Sequence, residues 1–312
     1  MEYDDEEELF RIIQDDFFRS THSLSIGEGS NLLFVNDFNG IILHSQIKGI
    51  AVMEEKHDTV LLRVGASEHW DDVVAFAVSK GWGGIENLSL IPGTAGAAAV
   101  QNIGAYGMEI KEVVETVEAC DRFTGKRHVF SNNDCRYRYR HSIFKEAAGE
   151  HFIITSICLR LQKKPHFKLD YGNLTAALGS RKITLQSVRD AVTEERCSKL
   201  PHPIVLGNAG SFFMNPVIPQ KQFNDLKNRY ALMPSFPVME GTVKVPAGWL
   251  IEQCGFKGKR EGSVSMYEKQ ALVLVNHGGA TGKEIVAFAE QIRQAVEKKF
   301  GILLVPEVRY VY

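Results

Sequence analysis

Residues 91–110, "IPGTAGAAAVQNIGAYGMEI", decide how this chain is read. Four glycines and five alanines fall in twenty residues, with a single charge at Glu109. Side chains this small let backbone come close to another element, or to a large flat or charged ligand. Gln101, Asn102 and Tyr106 add donors, acceptors and an aromatic face to a segment otherwise stripped of side chains. A bulky dinucleotide cofactor fits that combination; tight packing of strands and turns is the alternative that composition alone leaves open. A second glycine stretch, "GEGSN" at 27–31, poses the same question.

Neither stretch is a familiar nucleotide motif. "GEGSN" starts like a dinucleotide fingerprint but lacks the third glycine and a following acidic strand end. "NHGGATGKE" (276–284) resembles a phosphate loop only superficially. His277 stands where the first glycine belongs, and Glu284 stands where a Ser or Thr should bind magnesium. It reads as a loop leading into a helix.

The 312 residues suffice for two or three domains, and 44% hydrophobic with 24% charged residues is ordinary for a chain with a large core. A net charge of −2 gives no bias towards nucleic acid or anionic membrane. No apolar run reaches spanning length, and "MEYDDEEELF" is acidic where a signal peptide is basic and then apolar. Cys120, Cys135, Cys158, Cys197 and Cys254 lack metal-like spacing, so no metal is expected and a reducing cytoplasm is the simplest setting.

Apolar spacing predicts a helix over 5–18, and a strand over 59–67 ending at Ser67 as N-cap. Trp70, Val73, Val74 and Ala77 predict a helix closed by Gly81. Residues 112–162 read as strands, with "FTGK" a turn between two of them. Helices are expected over 185–198, near 219–229 and over 283–299. A Pro-rich loop at 234–237 and a final strand, "ILLVPEVRYVY", complete the reading. The irregular mixture argues for an α+β fold.

With these motifs in order, the chain resembles the UDP-N-acetylenolpyruvoylglucosamine reductases. The resemblance rests on "GEGSN", residues 91–110, "YRYRHSIFK" (137–145), "GNAGSFFMNP" (207–216), "AGWLIEQCGFKG" (247–258), "KQALVLVN" (269–276) and "PEVR" (306–309). It runs from about Glu6 to Arg309, and "LDYGNL" (169–174) points to the type I branch. It implies a vanillyl-alcohol-oxidase-like FAD-binding fold, with residues 1–48 plus 289–312 as one FAD-binding domain. Residues 49–199 form the second, and 200–288 an α+β substrate domain. The implied activity is cytoplasmic, in peptidoglycan synthesis: NADPH reduces non-covalent FAD, which reduces a UDP-sugar enolpyruvyl ether. A monomer is expected, without nucleic-acid or membrane partners.

The resemblance also implies site residues. Arg140 polarises the substrate carboxylate, Ser211 supplies the proton, and Glu307 partners the arginine, pushed towards its neutral form. FAD falls to Gly27, Glu28, Gly29, Ser30 and Asn31 in one loop, and to Pro92, Gly93, Thr94, Gln101, Asn102, Gly104, Ala105, Tyr106 and Gly107 in the other. Tyr171 covers the uridine, while Lys199, Asn215, Lys257, Gln270 and Arg309 surround the rest of the UDP-sugar. The chain departs from its resemblance twice. Family members usually begin with a further "NTFG"-like segment, so the start reads as truncated, at a cost to FAD affinity. Met214 stands where many relatives carry lysine.

Overall fold

The computed structural model describes residues 1–170 and 172–312, and Tyr171 lies outside the described residues. Backbone proximity groups them into two units: Met1–Gly29 with Asn39–Arg196, and Ser30–Phe38 with Cys197–Tyr312. The expected three-part division joins 289–312 to residues 1–48; this grouping places 289–312 in the second unit together with Ser30–Phe38 of that segment. The reason is packing. The helix ending at Phe300 buries Phe288, Ala289, Ile292, Val296 and Phe300 in one cluster with Val264, Met266 and Leu274.

The first unit is built on a five-stranded antiparallel sheet. Its order is Arg127–Ser131, Val114–Asp121, Phe152–Gln162, Thr59–Gly65 and Ile50–Glu55. The central strand, "FIITSICLRLQ", is buried over most of its length, on both faces. The "FTGK" turn forms as expected: Asp121 Oδ1 accepts from the N–H groups of Phe123 and Thr124 (2.8 and 3.0 Å). A smaller parallel sheet joins Glu2–Tyr3, Ile41–Ser45 and Ser23–Ile26.

The helices of this unit are α1 (Glu6–Gln14), α2 (Asp16–Ser20), α3 (Trp70–Ser79), α4 (Ala95–Gln101), α5 (Leu174–Leu178) and α6 (Leu185–Lys199). Three differ from expectation. The single helix over 5–18 is broken at Asp15, which is extended (ψ 130°) while its carboxylate caps α2 at the Phe18 N–H, 3.0 Å away. Ser67 does not cap α3; the strand ends at Gly65, Ser67 lies in the turn after it with its N–H donating to Ile47 O (2.9 Å), and His69 is the N-cap. Finally, part of the stretch read as a loop is helical. "AGAAAVQ" forms α4, because alanine is the best helix former and Thr94 caps it by accepting from Ala97 N (3.4 Å).

The second unit holds α7 (Gln220–Arg229), α8 (Ala247–Gln253) and α9 (Gly282–Phe300). An antiparallel sheet runs Gly207–Ser211, Val273–Asn276, Val264–Met266 and Arg260–Glu261. The loop expected at 234–237 is partly a strand, Phe236–Met239, which pairs with Thr242–Lys244 at the sheet margin where Pro237 is tolerated. The final strand is shorter than expected. Arg309–Val311 forms a strand, in parallel with Leu32–Phe34, and Pro306 makes an isolated bridge to Phe213, while Ile302, Leu304 and Val308 anchor the preceding segment in the core. The loop-to-helix reading of 276–284 holds, with Thr281 and Glu284 forming a capping box on α9.

Candidate active site

In the first unit, the glycine stretch is laid along the segment joining the Thr59–Gly65 strand to α3. Ala95 N donates to Glu68 O, Gly96 N to Ala66 O and Trp70 N to Gly93 O, each at 2.9 Å. A Cβ on Gly96 would stand 3.0 Å from Ala66 Cβ, and one on Gly27 would stand 2.6 Å from Thr94 Oγ1. Part of the bare backbone therefore serves close packing, which joins the two loops. Glu28 ties them further: one carboxylate oxygen pairs with His69 Nδ1 and the other accepts from Gly93 N (3.0 Å). His69 carried no sequence signal for this role.

Packing does not account for Gly29, whose φ is +69° and whose missing Cβ faces open space. The donor-rich, side-chain-poor stretch 92–107 suits a flavin dinucleotide. Pro92 is exposed, Gly93 and Thr94 are buried, and the chain re-emerges at Gly104–Gly107 after α4. Asn102 and Tyr106 are both left-handed (φ +46°), which turns the chain sharply on either side of Ala105. The Tyr106 ring packs against the α5–α6 cluster of Leu174, Leu178, Val188 and Val192, and burial pushes its hydroxyl pKa up, so it stays a neutral donor. Buried Asn87, also missed from sequence, donates to Tyr106 O at 2.8 Å.

Arg140 sits at the exit of this loop. Its Nη2 donates to Gly104 O (2.6 Å) and its Nη1 to Asn102 O (3.4 Å). The rest of "YRYRHSIFK" explains why. Asn102 Nδ2 donates to Arg138 O (2.9 Å), buried Ser142 Oγ to Val100 O (2.6 Å), and Lys145 Nζ to Gln101 Oε1 (2.7 Å). The whole motif is stitched to the C-terminal end of α4. Arg136, Arg138 and His141 gather on Glu146, and the hydrogen bond with His141 Nε2 (2.9 Å), followed by the nearby arginine charges, holds the Glu146 pKa below its ordinary value.

The second unit brings Ser211 and Glu307 together. Ser211 ends its strand opposite Val273, and Glu307 N donates to the carbonyl of the next residue, Phe212 (2.8 Å). Asn31 fixes the same segment: its Nδ2 donates to Glu307 O (3.2 Å), and its carbonyl accepts from Arg309 N (3.0 Å). Neighbouring Ser30 is half-buried. Asn215 and Gln270 converge on the start of α8. Asn215 Oδ1 accepts from Ala247 N (2.9 Å), where Pro246 offers no side-chain cap, and Gln270 Oε1 packs 3.1 Å from the Cβ position of Gly248. Lys257 lies further along, paired with Glu252 at 3.0 Å, and Lys199 is exposed at the end of α6.

Among known families, residues 2–131 match an FAD binding domain and residues 202–311 match "UDP-N-acetylenolpyruvoylglucosamine reductase, C-terminal domain". A protein of that reductase name from Porphyromonas gingivalis is 53% identical across all of this chain and 93% of its own length. One from Bacteroides fragilis is 48% identical, covering 92% of this chain and 87% of its own. One from Escherichia coli O157:H7 is 42% identical over 99% and 90%. In fold, the chain is similar to the reductase crystal structure from Thermus caldophilus, with a TM-score of 0.68 at 20% identity, covering all of this chain and 91% of the other.

Proposed function

The chain belongs to the UDP-N-acetylenolpyruvoylglucosamine reductase family, and from that premise we propose how its own residues divide the work. The reaction is the NADPH-dependent, FAD-mediated reduction of UDP-N-acetylglucosamine enolpyruvate to UDP-N-acetylmuramate, a step of peptidoglycan synthesis. When bound, FAD supplies the hydride it has accepted from NADPH. That hydride goes to the terminal vinyl carbon, leaving an electron pair on the neighbouring carbon and its carboxylate. The protein must stabilise this charge and then deliver a proton to that carbon.

Arg140 is the proposed carboxylate partner. Its guanidinium is a planar fork of N–H donors that matches a carboxylate, and it is oriented by bonds to Asn102 O and Gly104 O. Ser211 is the proposed proton donor, a weak acid that works only against a strongly basic carbon. Glu307 is the proposed third member, its main chain hydrogen-bonded beside Ser211. That adjacency of Ser211 and Glu307, brought together from distant parts of the sequence, is the observation that carries the proposal.

Gly27–Asn31 and the 92–107 loop are proposed to hold FAD, with Glu28 acting by joining the two rather than by direct contact. Neither loop carries a His or Cys for ring attachment, so acid precipitation should release all the flavin; flavin in the pellet would overturn this. Asn215, Gln270, Lys199, Lys257 and Arg309 remain proposed UDP-sugar contacts, together with Tyr171 over the uridine. The proposed solution state is a monomer, which sedimentation equilibrium tests. The central test is Arg140→Lys in stopped flow. Flavin bleaching by NADPH should proceed normally, and reoxidation by the enolpyruvyl substrate should slow at least about tenfold, since an ammonium cannot match the planar fork. Normal reoxidation removes Arg140 from the chemistry.

A further inference from the structure

Arg140 adopts a φ of +54°, in the left-handed region where a side chain bearing a Cβ is strained. Such a conformation persists only where its surroundings hold it. The guanidinium is bonded to two carbonyls of the flavin loop, and the peptide that follows Arg140 is held on its N–H side by His141 N donating to Arg138 O (3.0 Å), which leaves its carbonyl side to a further partner. Lys145 meets that need. Its ammonium donates to Arg140 O at 3.1 Å and to Gln101 Oε1 at 2.7 Å, bridging the arginine's own carbonyl to the end of α4. An exposed lysine is by default a solvated charge of little consequence. Two acceptors from two separate segments, one of them the carbonyl of a strained residue, distinguish this one.

We propose that Lys145 is a positioning residue for the reductive step, holding the Arg140 peptide so that the guanidinium keeps a single orientation. This rests on the reading of Arg140 as the substrate-carboxylate partner. The ammonium suits the task because its three N–H donors can serve two carbonyl-type oxygens at once. Phe144, next in the chain, is buried and anchors the turn independently. Removing the exposed ammonium therefore leaves the core untouched.

The test is a double-mutant cycle on the flavin-loaded enzyme, using Lys145→Met, Arg140→Ala and the pair. Lys145→Met should leave the flavin dissociation constant, read by fluorescence, and the rate of bleaching by NADPH within about threefold of the parent. Reoxidation by the enolpyruvyl substrate should slow roughly tenfold. Because Lys145 acts through Arg140, the double variant should reoxidise no more slowly than Arg140→Ala alone. Additive slowing, or equal slowing of bleaching and reoxidation, overturns the proposal. If Lys145→Met cannot hold flavin, Lys145→Arg decides: keeping a cation should restore near-parental reoxidation, and a rate as slow as that of Arg140→Ala overturns it. Normal reoxidation in Arg140→Ala would instead overturn the reading of Arg140 itself, a separate result.

Discussion

At the residue scale, Ser211 carries the sharpest expectation. A serine hydroxyl gives up its proton only to a strong base, so its part must come after hydride has reached the substrate. Ser211→Ala should therefore leave flavin binding and bleaching by NADPH intact. Reoxidation should fall by about 10²–10⁴-fold, the usual contribution of a positioned acid. Stopped-flow traces separate the two steps, and parental reoxidation would assign the proton to another group. Tyr171→Ala should raise the substrate KM by roughly tenfold through lost aromatic stacking, with bleaching by NADPH little changed. An unchanged KM places that ring outside the site.

At the scale of elements, the two glycine loops work as a pair. Replacing Gly27 by alanine would put a Cβ against the Thr94 hydroxyl that caps α4. A cost of about 1–2 kcal/mol in stability is expected from the displaced cap, with weaker flavin binding alongside. Urea denaturation of the apoprotein and flavin titration check both effects; parental values for both would show that the loops are not coupled in this way. A contrasting case is Thr281→Ala at the start of α9. It breaks the capping box and should cost about 1 kcal/mol while leaving flavin affinity alone. A changed flavin affinity there would mean that the helix start communicates with the cofactor.

At the scale of the whole molecule, one ion pair reaches from α3 to α6. Asp71 accepts from Arg189 Nη1 and Nη2 (2.7 and 2.8 Å) and from Leu90 N (2.5 Å), immediately before the flavin loop. Burial pushes the Asp71 carboxyl up, but the Arg189 guanidinium and the Leu90 N–H outweigh it and hold the pKa below the ordinary value. A folded value below the unfolded one makes the stabilisation complete above roughly pH 4. It is lost as pH falls through the depressed folded value. Asp71→Asn should therefore be less stable by about 1–2 kcal/mol across neutral pH, with the gap closing in acid. Urea denaturation across a pH series reads this, and a gap that widens in acid would contradict the assigned sign.

Much of this protein is legible one residue at a time. The α+β class, the strand from Thr59 and those within 112–162, the hairpin at Asp121, α6, α7 and α9 follow from periodicity and turn chemistry, which act over a few residues; the strands Glu2–Tyr3, Ile41–Ser45 and Ile50–Glu55 were not legible in this way. The loops proposed to hold flavin stand out by what they lack in side chains. Local signals could not say which glycines serve packing and which face open space, nor that Asp15 would cap a new helix and break the one before it. They were equally silent on Glu28 reaching His69, and on "YRYRHSIFK" being stitched to α4 so that Arg140 rests on Asn102 and Gly104. The main chain at Glu307 runs beside that of Ser211 because the segment around Pro306 is bonded alongside Phe212 and Phe213. Such pairings join residues that no local pattern connects. They exist because a buried polar group must find its partner wherever packing brings one, and that choice belongs to the folded chain.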